Sequence, residues 1–305
     1  MHAVEIEGVR KTFGSTVAVD GLSLAVPTGS VYGFIGPNGS GKTTTLRMIM
    51  RIMHPDQGDI RVLGENATEG EAASDRVGYL PEERGLYRKM QVNEVLRFYA
   101  ELKGTRDCQR DIDEWLERLD LAAYKRKTVE ALSKGMSQKL QFIATVLHKP
   151  RLLLLDEPFS GLDPVNQEVI KDAVVAMKRT GTTVIFSTHD MDVAEKMCDF
   201  IFMIFKGHKV LDGTLEAIQS KYGADTIRVR LANGGVDFMK LPGVEKVNDF
   251  GRFQELRMHP GADPQGILRQ LVSITRVEHF EIAAPSLHDI FVRIARPQEQ
   301  EAGHA

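Results

Sequence analysis

The chain has 305 residues and a 42% hydrophobic composition, enough for one domain of ordinary size and a smaller second one, each with its own core. Its 39 Lys plus Arg stand against 42 Asp plus Glu, a formal net charge of -3, so no overall basic field exists to hold a phosphate backbone, which argues against nucleic acid as the main partner. The two cysteines, Cys108 and Cys198, lack metal-ligand spacing; this suits a reducing, cytoplasmic compartment and excludes a disulfide framework.

The opening MHAVEIEGVR has acidic and alternating apolar residues where a signal peptide needs a basic stretch and then an apolar block, so no export is expected. Val4 and Ile6 alternate with polar neighbours, as do Leu22, Leu24 and Val26, which predicts short strands across residues 3 to 35; VYGFI, at 31 to 35, reads as buried on both faces. After a Gly-rich loop, Leu46, Ile49, Met50 and Met53 recur at helical spacing, and His54-Pro55 closes that helix. From about 87 to 148 the pattern is helical: Val92, Val95, Leu96 and Tyr99, then Ile112, Trp115, Leu116 and Leu119, then Leu140, Ile143, Ala144 and Leu147. Each such face must pack, so the block is a helical insertion between strands and not a linker. Two apolar strands follow, RLLLL (151 to 155) and TTVIF (182 to 186), separated by a helix over about 165 to 179. Strand and helix in alternation imply an α/β core with a parallel sheet.

The longest run of large apolar residues, Phe200 to Phe205, falls far short of the roughly 20 needed to cross a bilayer, so no membrane span is expected. From about Tyr222 strand and helix patterns mix: IRVRL, GRFQELRMH and VEHFEIA as strands, PQGILRQLVSI and SLHDIFVRIA as helices. They predict a small α+β domain over 222 to 296, of ferredoxin-like character. The polar tail, 297 to 305, is expected to be disordered.

GPNGSGKT, from Gly36 through Pro37, Asn38, Gly39, Ser40, Gly41 and Lys42 to Thr43, fits G-x-x-x-x-G-K-[ST] between a predicted strand and a predicted helix. The glycines let the backbone curl so that successive N–H groups, on to Thr44, face phosphate oxygens at a helix N-terminus. Lys42 supplies a full charge to the β and γ phosphates, and Thr43 a hydroxyl to Mg2+. RLLLLDE puts Asp156 and Glu157 at the C-terminal end of a buried strand. Alone this is a core strand with a polar end; beside a phosphate loop it reads as a second nucleotide motif, with Asp156 holding Mg2+ and Glu157 polarising the attacking water.

LSKGM (132 to 136), before Asp156 and at the head of an amphipathic helix, resembles the signature motif of ATP-binding cassette (ABC) proteins. It departs from the family's LSGGQ at Lys134 and Met136 and keeps Ser133 and Gly135, which in the family meet the γ phosphate. Other matches fall in family order. FSGLDP, with Asp163, resembles the D-loop; His189 in STHD resembles the switch histidine; Phe13 in KTFGSTVAV matches the aromatic residue that stacks on adenine. In GYLPEERGLY, Glu82 stands where the family commonly has Gln. A carboxylate cannot donate to phosphate, so Glu82 is expected to accept from water or Mg2+.

The resemblance implies a cassette covering residues 1 to 220: a P-loop fold with a mostly parallel core sheet, an antiparallel β subdomain and a helical subdomain. It implies ATP and Mg2+ as ligands, and ATP hydrolysis between two copies of the chain. It further implies separate transmembrane permease subunits, with this chain peripheral on the cytoplasmic face of the cell membrane. PSLHDIFVRIA (285 to 295) resembles the accessory domain of sodium-extrusion and drug-efflux ATP-binding subunits, which favours export. Two other readings compete: a soluble cassette ATPase acting on ribosomes or DNA, which lacks the usual second cassette or coiled coils, and a P-loop kinase, which leaves Ser133, Gly135 and His189 unexplained.

Overall fold

A computed structural model describes residues 1–66, 74–83, 85–222, 226–232, 235–259 and 261–302. The chain divides into two compact units, Met1–Thr214 and Leu215–Ala305. In the first, β1 (His2–Phe13) and β2 (Thr16–Pro27) form a long hairpin, followed by β3 (Val31–Ile35) and α1 (Lys42–Ile49). Then come β4 (Gln57–Val62), β5 (Glu65–Asn66), β6 (Val77–Leu80), and the helices α2 (Val92–Leu102), α3 (Gln109–Arg118) and α4 (Lys134–Val146). The unit closes with β7 (Leu152–Asp156), α5 (Pro164–Arg179), β8 (Thr183–Thr188), α6 (Met191–Met197), β9 (Phe200–Phe205) and β10 (His208–Gly213).

The central sheet has the order β10-β9-β3-β8-β7-β6 and is parallel except for the β9–β10 hairpin. A second sheet, β2-β1-β4-β5, is antiparallel. The run of leucines in β7 is explained by layers on both sides. Leu152 and Leu154 enter the core shared with Ile6, Leu22 and Ile60 of the antiparallel sheet, whereas Leu153 and Leu155 enter the core with Val95, Leu116 and Ile143 of the helical block. A strand buried on both faces has no need of alternation. Each such leucine contributes about 1.5–3 kcal/mol by leaving water.

Two expectations are corrected. The strands of residues 3 to 35 are not all short: β1 and β2 run 12 residues each, because register irregularities let the hairpin bend without losing its pairing. The helix after the phosphate loop ends at Ile49, well before His54-Pro55, since Arg51 takes a positive φ that a helix cannot continue through.

In the second unit, α7 (Leu215–Tyr222) precedes β11 (Thr226–Leu231), β12 (Val244–Asp249), β13 (Gln254–Met258), α8 (Pro264–Ile274), β14 (Val277–Ala283) and α9 (Leu287–Ala302). The sheet order is β12-β13-β11-β14, antiparallel throughout. Ile227, Val229, Leu256 and Met258 meet Ile267 and Leu271 of α8 in one core. The strand order and the β13-α8-β14 crossover agree with the expected ferredoxin-like character, except that β11 reaches β12 by way of a three-residue 3-10 turn, Phe238–Lys240, in place of the first helix. Contacts assign α7 to this unit, whereas the expected boundary lay at about 220. The expected disordered tail falls on residues 297 to 305: α9 continues through Ala302, and 303–305 lie outside the described residues.

Candidate nucleotide site

The phosphate loop leaves the end of β3 and curls into α1 through glycines that tolerate no side chain. Gly41, the N-cap of α1, has φ 110, and a Cβ there would lie 2.6 Å from the carbonyl oxygen of Ala18. At Gly36 a Cβ would run into the backbone of Ile204. Residues of β2 and β9 therefore grip the loop from behind, and the loop leads into a helix N-terminus, where negative charge is favoured. Lys42 is 5% exposed. Its ammonium donates to the carbonyls of Gly36, at 2.7 Å, and Pro37, at 3.1 Å. Burial lowers the Lys42 pKa, opposed by the nearby carboxylates of Glu157, Asp156 and Glu82; Glu157 Oε1 lies 3.7 Å away.

β7 and β8 end beside this loop and deliver the acidic residues. Thr43 Oγ1 donates to Asp156 Oδ1 at 3.1 Å, and Ser187 Oγ, at the end of β8, donates to the same oxygen at 2.5 Å. Ser187 Oγ also accepts the backbone N–H of Glu157 at 3.0 Å. One hydroxyl thus orients both acidic residues. Asp156 Oδ2 is buried and has no hydrogen-bond partner among the described residues, which is costly for a carboxylate oxygen unless something cationic meets it. Among the described residues no cluster of three His, Cys, Asp or Glu forms a metal cage. One free carboxylate oxygen and one threonine hydroxyl still suit Mg2+, which binds through few protein oxygens and completes its shell with phosphate and water.

Glu157 adopts φ 49, a left-handed backbone costing a non-glycine residue about 1–3 kcal/mol. Its two carboxylate oxygens both lie 3.1 Å from His189 Nδ1, and His189 is half-exposed at the mouth of the site. The structure therefore brings together Lys42, Thr43, Asp156, Glu157 and His189, drawn from segments far apart in sequence. Glu82 is exposed, yet its charge acts on both Lys42 and Tyr79, which sets it on the same side. Arg84, two residues on, lies outside the described residues.

Other expected residues stand apart from that cluster within one chain. Ser133 caps α4, its hydroxyl accepting the N–H of Met136 at 3.3 Å, and Gly135 faces Asn166, whose Nδ2 would lie 3.2 Å from a Cβ there. Asp163 caps α5 and accepts both the N–H and the side-chain amide of Asn166, bonds that hold its carboxyl below the usual range. Among the described residues no hydrogen bond or ion pair joins Ser133, Gly135 or Asp163 to the phosphate loop. Phe13, at the end of β1, is 51% exposed with the Lys11 ammonium 5.7 Å from its ring centre. Sequence reasoning missed four residues that position this apparatus. Ser187 was visible only as part of STHD; Gln138 donates to the Pro158 carbonyl at 2.6 Å and Gln141 to the Glu83 carbonyl at 3.3 Å; and Asp56 ties down Lys11 and Thr12 next to Phe13.

A family model described as ABC transporter matches residues 19–160, and one described as the C-terminal domain of DrrA1-3-like ATP-binding proteins matches 213–295. A third, for an AAA domain, matches 127–194. The ABC transporter ATP-binding protein YhaQ of Bacillus subtilis is 40% identical over 289 residues, spanning 94% of this chain and 96% of that protein. The daunorubicin resistance ATP-binding protein DrrA3 of Streptomyces coeruleorubidus is 32% identical over 96% of this chain and 95% of its own. The Nod factor export ATP-binding protein I of Sinorhizobium fredii is 31% identical over 96% and 85%. A solved ATP-binding subunit of an ABC transporter superposes with a TM-score of 0.69 at 28% identity, covering 72% of this chain and 93% of that one. With its cassette and its C-terminal unit both matched and its relatives aligned nearly end to end, the chain belongs to the ABC transporter ATP-binding proteins and is an ATPase.

Proposed function

We propose that the chain is the ATP-hydrolysing motor of an exporter, acting as a pair of copies beneath separate transmembrane permease subunits. The observation that carries this reading is the convergence of Lys42, Thr43, Asp156, Glu157 and His189 where the parallel strands β3, β7 and β8 end, the edge at which open α/β sheets bind ligands. The loop amides and Lys42 hold the β and γ phosphates of ATP. Thr43 and Asp156 would hold Mg2+, which would supply positive charge to the phosphate oxygens. Glu157 orients the attacking water and takes up its proton, and His189 holds that carboxylate in place and reaches the γ phosphate. Phe13 offers its exposed ring to the base.

Ser133 and Gly135 stand at the N-terminus of α4, and among the described residues no hydrogen bond joins them to the phosphate loop, which fits a role toward the triphosphate of a second copy. Asp163 lies close by, against Asn166, and joins that contact. ATP then closes the two copies, and loss of the γ phosphate releases them. No helix among the described residues is long and apolar enough to cross a membrane, so transport work requires separate spanning chains. The relatives named for daunorubicin resistance and Nod factor export favour outward transport and a place on the cytoplasmic face.

The test is Glu157→Gln. Turnover is expected to fall by about 10² to 10⁴, the usual contribution of a general base, with ATP still bound and a two-copy species appearing on sizing columns. Retention of wild-type turnover, or a single-copy species at saturating ATP and Mg2+, overturns the reading. Purification from membranes should bring down a polytopic protein with the chain; recovery with ribosomes instead would replace the transport assignment.

A further inference from the structure

The second unit holds a cavity that no part of the ATPase reading uses. Strand alternation puts Ile227, Val229, Leu256 and Met258 into the core, so Thr226, Arg228, Glu255 and Arg257 stand on the opposite face of the sheet. Across that face lies the start of α9, and between them is a cavity of about 300 Å3, lined by Lys246, Asn248, Phe250 and Arg257 from the sheet side and by His288 and Arg293 from α9. That volume is at the lower end of those that take small organic ligands.

Lys246, Arg257 and Arg293 line the cavity beside the carboxylates of Glu255 and Asp289. The Glu255 carboxylate is engaged by Arg228 at 2.8 Å. Asp289 is engaged at the head of α9, accepting from the hydroxyl and backbone N–H of Ser286. Arg257 has Glu245 at 3.4 Å. Lys246 has no carboxylate partner among the described residues, and it is the direct cross-strand neighbour of Arg257. Like charges opposed in this way on adjacent strands destabilise a sheet; Glu245 meets the charge of Arg257, and an anion in the cavity would meet that of Lys246. At the rim, Phe250 is 57% exposed and stacked on Phe253 with ring centres 5.0 Å apart, presenting a flat apolar wall.

We propose that this cavity binds a small organic oxyanion, its phosphate or carboxylate group held by Lys246 and Arg257 with help from Asn248, and its body laid against Phe250. The site is separate from the nucleotide reading and does not depend on it.

Residue-resolved amide NMR of the full chain, titrated with phenyl phosphate, benzoate and inorganic phosphate, tests the proposal. Saturable shifts are expected at Lys246, Asn248 and Arg257, with a dissociation constant of about 1 mM or below for at least one organic probe. Tighter phenyl phosphate than benzoate identifies a phosphate ligand, and the reverse a carboxylate. Lys246→Glu should weaken binding by about tenfold or more, the scale of one charge-assisted hydrogen bond, while Lys246→Arg retains it. Phe250→Ala should weaken phenyl phosphate and leave inorganic phosphate as it was. Shifts confined to Gly36–Thr43, no saturation with any probe, or indifference to Lys246→Glu would overturn it.

Discussion

Ser187 bonds both Asp156 and the backbone of Glu157, so its loss should disturb metal and water positioning together. Ser187→Ala is expected to raise the Mg2+ needed for half-maximal turnover by about 10-fold or more, as removal of a partner of a ligating carboxylate does elsewhere; a titration of ATPase rate against Mg2+ reads it, and an unchanged midpoint would free Ser187 of that role. At position 82, Glu82→Gln restores a donor that the carboxylate lacks. It should lower the KM for ATP while leaving the fold untouched, since Glu82 is exposed; a raised KM would instead mark the acid as an active acceptor. Lys42, Thr43, Asp156 and Glu157 were legible because their spacing to a strand end is a local pattern. Ser187 was not, because its bonds to Asp156 and Glu157 span some thirty residues of chain and only the β7–β8 register brings them side by side.

At the level of elements, the phosphate loop depends on what stands behind it. Gly41→Ala combines a left-handed backbone with a Cβ driven against the Ala18 carbonyl; it should lower stability by about 1–3 kcal/mol and abolish ATP binding, read by thermal unfolding with and without nucleotide. The clasp at the end of β1 offers a pH test. Lys11 first, then Thr12, hold the Asp56 carboxyl at about 2, below its usual 3.8. A depressed acid stabilises the fold above its unfolded pKa and loses that contribution as pH falls through its folded one. Asp56→Asn should therefore flatten the decline in melting temperature between about pH 4 and pH 2, and added salt should shrink the difference, because the pair is exposed. An identical acid limb in both proteins would remove Asp56 from the clasp. The strands β7 and β8 were readable as continuous apolar runs, and the helices α2, α3 and α4 from apolar periodicity. The length of β1 and β2 was not, because bulges interrupt the alternation that marks a strand, and β12 was missed because VEKVND is mostly polar.

For the whole molecule, the proposed completion of the site by a second copy would make the rate per chain depend on concentration. Dilution of the wild type should lower specific activity, and Ser133→Arg should abolish turnover while ATP binding to Lys42 and its loop survives. A specific activity constant on dilution, with Ser133→Arg harmless, would confine the chemistry to one chain. The two-unit division was visible in the sequence as a change of texture, but its placement was not, since α7 carries an ordinary helical pattern and only its contacts assign it. One consequence reaches across the first unit. Ser133 caps helix α4, whose glutamines hold the carbonyls beside Glu157 and Glu82. If Glu157 lines up the attacking water as proposed, α4 would act as a rocker arm pinned at both loops, carrying a push from a partner on the helical block to that carboxylate and returning a tug when the γ phosphate leaves.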